Sequence, residues 1–329
     1  MNYKNKFQKS SLSLAIASAV VSLLATPAAA EEPCGDLGEC KVLIEINSTD
    51  GDVGFHFLGD GEGFRHMKLD GPEERVFSYR TFGPLDEQLL TEVFAESAEP
   101  LCWFDEEEDE EEVRTLSEFL ELWEFGEYSF RGKRQGEPWQ EGSTELTNIL
   151  PAAPLEVDLE IEEDDDDDME DEPELDYTIS WSMAAEGEGH LGRCSGIDED
   201  GEVFDDELNT DFLALKGTVI EVVEKPDEWE VVLETDFNDD PEEASEEEVM
   251  LSAIYGSIVF STRIPGDAEE LEIEVPDEFI EALPPNTPVK VEVGAIAGND
   301  NATFTELGGF CVNPDEGETS FCEEEDEED

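Results

Sequence analysis

Short runs in which apolar and polar residues alternate recur along the chain, the period-two signature of half-buried strands. Residues 40–47 (CKVLIEIN) are a strand by their branched apolar content. Residues 48–52 (STDGD) carry turn chemistry and 53–58 (VGFHFL) read as the returning strand, so a hairpin is predicted through Asp50-Gly51-Asp52. Residues 76–79, 125–132 and 144–150 add further strands, while 85–97 (LDEQLLTEVFAES) fit either helix or loop. Helical spacing is clear over residues 115–123, where Leu116, Phe119, Leu120 and Trp123 share a face. Thr115 is placed to cap that helix, with Glu118 three residues on.

Pro151-Ala152-Ala153-Pro154 marks an exit from this first group of strands. Residues 154–175 are mostly acidic and read as a linker, although Leu155, Val157, Leu159 and Ile161 alternate as a strand would. Beyond them Tyr177, Ile179 and Trp181 alternate, as do Leu271, Ile273 and Val275. A proline-rich corner at 283–288 (LPPNTP) then runs straight into Val289, Val291, Val293 and Ala295. The pattern predicts a mainly β chain with two sandwich-like domains. The first, over 31–153, is immunoglobulin-like and holds the short helix; the second spans 176–313.

The second domain resembles a fibronectin type III module. Trp181 stands where that family has a Trp on its second strand, and Leu283, Pro285, Thr287, Val291, Val293 and Ala295 match the run at its sixth. Val289 occupies the place of the family's corner Tyr. The resemblance covers residues 177–182 and 250–312, with 187–211 and 237–248 as insertions. It implies a seven-stranded sandwich that displays loops and binds partners, without catalysis. The N-terminal part, with its Asp50-Gly51-Asp52 hairpin, resembles exported bacterial proteins of uncharacterised function that carry such a module behind it, a resemblance that implies no activity.

Export is predicted independently. Lys4, Lys6 and Lys9 precede an apolar run over 12–25 and the small residues Ala28 and Ala30, so 1–30 reads as a signal peptide. The run is too short for a stable membrane span, and Glu31-Glu32-Pro33 before Cys34 is not a lipidation box. A bacterial periplasm or exterior is the expected compartment.

Charge narrows the partners. The net charge is −75, and none of the 92 acidic residues lies in the leader. Acid runs occupy 105–112, 162–168 and the tail, which is set apart as 314–329. Such a chain repels nucleic acid and anionic lipid, so no nucleic acid and no membrane insertion are expected. A charged partner would be a divalent cation, a basic protein or a basic surface; the identity of a protein or glycan partner is left open. No cofactor is required by the sequence.

Six cysteines, Cys34, Cys40, Cys102, Cys194, Cys311 and Cys322, allow three disulfides. Short closure favours Cys34–Cys40 and Cys311–Cys322, leaving Cys102 with Cys194. No C-x-x-C occurs and only three histidines exist, which argues against zinc and thioredoxin chemistry. Calcium fits better: residues 196–207 lie on a calcium-loop template with Asp198, Asp200 and Glu207 as ligands, although Gly196 holds the first position. Asp50 and Asp52 are a second candidate pair at the hairpin turn. No Gly-x-Ser-x-Gly elbow is present. His56, His66 and His190 read as structural or exposed. Arg131, Lys133 and Arg134 read as neutralising nearby acids, Trp123 as core, and Trp139 as a loop residue that anchors its loop. The function reading is a non-enzymatic binding or scaffold protein; the alternatives are a calcium-responsive acidic protein and a polysaccharide-active enzyme or accessory domain.

Overall fold

A computed structural model describes residues 34–103, 113–163, 175–196, 220–237, 246–256 and 258–312. In the first half the strands are β1 (Glu39–Asn47), β2 (Asp52–Phe64), β3 (His66–Asp70), β4 (Arg75–Arg80), β5 (Leu90–Glu96), β6 (Gly126–Lys133), β7 (Trp139–Leu146) and β8 (Ile149–Pro151). The second half adds β9 (Leu155–Glu163), β10 (Leu175–Ser182), β11 (Glu221–Val223), β12 (Glu228–Thr235), β13 (Val259–Pro265), β14 (Glu272–Glu274), β15 (Thr287–Ile296) and β16 (Ala302–Val312). The protein is mainly β and of the sandwich class.

One seven-stranded sheet organises the rest. Its order is β13-β12-β15-β16-β1-β2-β5, so it takes strands from both halves of the sequence. The halves meet where β1 runs parallel to β16, with Ile46 beside Thr303 and Asn47 beside Phe304. Directly paired residues point to the same side of a sheet. A row of paired positions therefore runs Ile46, Thr303, Ala295, Trp229 across four strands on one face. The neighbouring row, Asn47, Phe304, Gly294, Glu230 and Arg263, lies on the other.

The two larger hydrophobic cores occupy the first of these faces. The sheet β4-β3-β6-β7 packs Met67, Leu69, Tyr128 and Phe130 against Val42, Ile44, Phe55 and Phe57. The sheet β14-β10-β9 packs Tyr177, Ile179 and Trp181 against Trp229, Val231, Val291 and Val293. Trp181 meets Trp229 edge-on, with ring centres 5.8 Å apart. The opposite face of the seven-stranded sheet carries charged side chains, the buried His56, a small buried apolar cluster of Ile296, Ala302 and Phe304, and the less buried Leu43, Leu58 and Phe94.

The parallel seam is held by buried polar side chains. Asn301 is fully buried; its Oδ1 accepts from the Ile44 amide at 2.9 Å, and its Nδ2 donates to the carbonyls of Thr147 (3.0 Å) and Ile149 (2.7 Å). The Thr303 and Thr305 hydroxyls donate to the carbonyls of Pro151 and Pro154 at 2.7 and 2.8 Å. These bonds satisfy the backbone where the chain leaves the first half, a place where an unpaired carbonyl would be costly.

Several expectations meet the structure directly. The hairpin joins β1 to β2 as predicted. The helix spans Leu116–Leu120 and carries the full Thr115/Glu118 capping box, and Trp123 just beyond it stacks on Phe55 at 3.9 Å. Residues 85–97, read as helix or loop, divide into a short helix, Pro84–Gln88, and the edge strand β5. On an edge, Glu92 and Glu96 stay solvated, so their low strand propensity is tolerated. The acidic stretch 154–175 is not a break between sheets: its first part is β9, paired with β10, and 164–174 lie outside the described residues. At the proline-rich corner, the buried Thr287 hydroxyl donates to the Pro284 carbonyl at 2.8 Å.

Disulfides close Cys34–Cys40 and Cys102–Cys194. Cys311 is also disulfide-bonded, and Cys322 lies outside the described residues. Residues 1–33 and 313–329, with the leader and tail readings, lie outside them too.

Replacing Asn301 by Ala strands the Ile44 amide and removes a donor from two carbonyls. The expected loss is about 2–4 kcal/mol of unfolding free energy, read by urea denaturation at unchanged m-value. A loss within about 0.5 kcal/mol, the range of an ordinary surface change, would show that the seam does not depend on this side chain.

Candidate carboxylate site on the open sheet face

The centre of the open face is a carboxylate cluster. β1 contributes Glu45 and Asn47, the hairpin Asp50 and Asp52, β15 Glu292 and β16 Glu306. They line a cavity of about 290 Å³ over the seam, joined by Glu99 from the segment after β5 and by Lys290. Register makes the cluster unavoidable. Asn47 pairs with Asp52, Glu292 pairs with Glu306, and the parallel β1–β16 contact brings the two pairs side by side.

The cluster is short of positive charge. Lys290 Nζ lies 3.2 Å from Glu234 and 3.3 Å from Glu306. Burial works against its charge, but Glu306 and Glu234 prevail and raise it to about 12. Glu292 gains no such pairing. Burial, then the facing Glu306 and more distant Glu234, push its carboxyl up to about 8 against the opposing pull of Lys290. Asp52 is pushed up to about 7 by burial and by Glu99, Asp50 and Glu306, with a backbone hydrogen bond from Asn47 pulling the other way. Asp50 accepts from Asn47 Nδ2 at 3.1 Å, and Asn47 Oδ1 in turn accepts the Thr49 and Asp50 amides.

His56 stands beside this cavity, 6% exposed. Its Nε2 lies 3.0 Å from Glu99 Oε1 and its Nδ1 3.8 Å from Glu45 Oε2. Burial opposes its protonation, but the two carboxylates outweigh that and raise its pKa. Glu45 is raised in turn by burial, with His56 partly offsetting it.

The other sequence candidates are placed as follows. Asp50 and Asp52 belong to the cluster. Asp198, Asp200 and Glu207 lie outside the described residues. His66 Nε2 is 3.1 Å from the Ser78 hydroxyl, and His190 Nδ1 accepts the Gly192 amide at 3.1 Å. Arg131 pairs with Asp70, which Arg75 also holds at 2.7 Å. Trp139 is not in a loop: it opens β7, with the Lys68 and Lys133 ammonium groups each 5.2 Å from its ring centre. Cation–π contact with two lysines explains its half-burial on a strand. Glu45, Glu292 and Glu306 went unnoticed in the sequence because each fills the polar slot of an alternating strand. Only the parallel pairing collects them.

Comparison with known proteins adds little. No family model matches the chain, and no curated protein matches it. Among solved structures it is similar to a tetra-tandem repeat from the extending region of a large adhesion protein, at 10% identity and a TM-score of 0.20. That match covers 84% of this chain and 50% of the other, so the chain spans about half the length of that structure.

The raised carboxyls fix a pH dependence. Asp52 and Glu292 titrate higher in the folded protein than at their ordinary 3.8 and 4.5. The stability they contribute is full below those ordinary values and is lost as pH rises through about 7 and 8. Melting curves at fixed ionic strength should show Glu292→Gln shallower than the parent between about pH 5 and pH 9, and more stable at the upper end. Parallel curves would contradict the crowding of charge at the seam.

Proposed function

We propose that the chain is an exported, non-enzymatic binding or scaffold protein that presents the open face of its seven-stranded sheet to a cationic partner. The observation that carries this reading is the unequal packing: the two larger cores lie on one face, and carboxylates from both halves gather on the other. Electrostatic complementarity of this kind steers association and selects partners. The export reading is supported by the leader pattern at 1–30 and by the two disulfides. The fibronectin type III reading of the second half is supported by its three-plus-four arrangement. There β9, β10 and β14 face β12, β13, β15 and β16, with Trp181 on the second of these strands.

A second reading, that divalent cations such as calcium stabilise the protein, is favoured by the cavity at the seam. Asp50, Asp52, Glu292 and Glu306 supply the oxygen donors calcium takes.

Hydrogen exchange read by mass spectrometry tests both readings on the full exported chain. With an oligolysine peptide at physiological salt, protection is expected in β12, β15 and β16; protection confined to the acid runs would refute the open-face reading. With millimolar calcium, against magnesium at equal ionic strength, slower exchange is expected across the hairpin 47–52 and residues 290–306. Identical exchange in the two ions would remove the calcium reading and leave the first untouched.

A further inference from the structure

We infer that His56, Glu45 and Glu99 form a binding site for a first-row divalent metal of the zinc class, at the edge of the oxygen-lined cavity whose wall Glu45 and Glu99 also form. One nitrogen of His56 and one oxygen each from Glu45 and Glu99 lie within 4.8 Å of one another. Imidazole nitrogen with two carboxylates is a donor set that suits zinc and its neighbours rather than calcium, which takes oxygen alone. His56 Nε2 and Glu99 Oε1 stand 3.0 Å apart. Ligand bonds of about 2.0–2.1 Å at tetrahedral angles put neighbouring donors roughly 3.3 Å apart, so this pair needs only a small adjustment.

The backbone keeps the centre of the triangle clear. Gly54 pairs with Glu45 across β1 and β2, and precedes His56 by two residues on the same face. A Cβ at Gly54 would lie 2.5 Å from Glu99 Oε1 and 2.6 Å from His56 Nε2. Any other residue would therefore crowd the space between the His56 and Glu99 donors. Its φ is not in the left-handed region, so the glycine answers to this crowding rather than to backbone strain.

The surroundings hold the imidazole in place. Phe94 meets the His56 ring edge-on at 5.8 Å, and the ring is buried. Glu99 is exposed, which leaves the remaining coordination position open to water. Three protein ligands with one open position is the arrangement of zinc sites that exchange their fourth ligand. Binding forms the metal–nitrogen bond at a neutral imidazole nitrogen and sets the ion's charge against those of Glu45 and Glu99.

This inference rests on neither functional reading above: it turns on the His56 nitrogen and a different ion, with Glu45 and Glu99 shared with the cavity wall. The test is titration of the full-length exported protein with Zn2+ against a chromophoric chelator, in excess Mg2+ and Ca2+ to occupy oxygen-only sites. A saturable site is expected in the parent, weakened at least about tenfold in Glu99→Gln, where an exposed side chain changes and the fold is spared. His56→Gln should lose it, and Gly54→Ala, which keeps all three donors but fills the space between them, should weaken it as well. Circular dichroism of each variant separates loss of binding from loss of fold. No saturable site in the parent, or equal affinity in parent and Glu99→Gln, would overturn the assignment and leave His56 as a buried ion pair.

Discussion

The parallel contact between β1 and β16 is the constraint from which the rest of the structure follows. Residues almost at opposite ends of the described chain share a ladder there, Glu45 beside Ala302 and Asn47 beside Phe304. Backbone bonding alone would leave the ends of this seam exposed to competing loops. Asn301 prevents that by taking the Ile44 amide and donating to the carbonyls of Thr147, just after β7, and Ile149, which opens β8. Ser48 extends the lock, with its amide on the Phe304 carbonyl at 2.7 Å and its hydroxyl 2.8 Å from that of Thr305. Buried polar groups of this kind fix one register, because any slip leaves several of them unpaired.

Once that register is set, the distribution of chemistry over the two faces has no freedom left. Val42, Ile44 and Ile46 must lie on the side of Trp229, Val291 and Val293, so both sandwiches are built on one face. Glu45, Asn47, Glu292 and Glu306 must then share the other. The strain this creates is electrostatic and shows in the raised carboxyls of Asp52 and Glu292 and in the double pairing of Lys290. A chain selected only for solubility would scatter its charge. Here like charges are forced within reach of one another across the seam, which is the physical ground for expecting a cation there.

Legibility from sequence divides along the same line. Local structure was readable: the hairpin through Asp50-Gly51, the capped helix at Leu116–Leu120, and the alternating run that becomes β15. So was the pairing of Cys102 with Cys194. What was not readable is the joining of the halves, because parallel pairing leaves no turn signal between its strands. β16 itself was missed: Thr303 and Thr305 face inward and Glu306 outward, so its apolar alternation is broken by the seam's hydrogen-bonding residues. The candidate site was half legible. Asp50 and Asp52 stood out at a turn, whereas Glu292, Glu306 and Glu45 looked like solvent-facing positions until β1 and β16 came together. His56 read as structural, since neither Glu45 nor Glu99 is near it in a pattern that sequence reveals.

A sheet shared between the halves makes them one cooperative unit, although their cores are separate clusters. Neither half can unfold without exposing the β1–β16 ladder and the buried Asn301 to solvent. Differential scanning calorimetry of the full chain with its disulfides intact tests this directly. The shared sheet predicts a single transition in which calorimetric and van 't Hoff enthalpies agree. Two resolved transitions, each with the enthalpy of a half-sized domain, would contradict it.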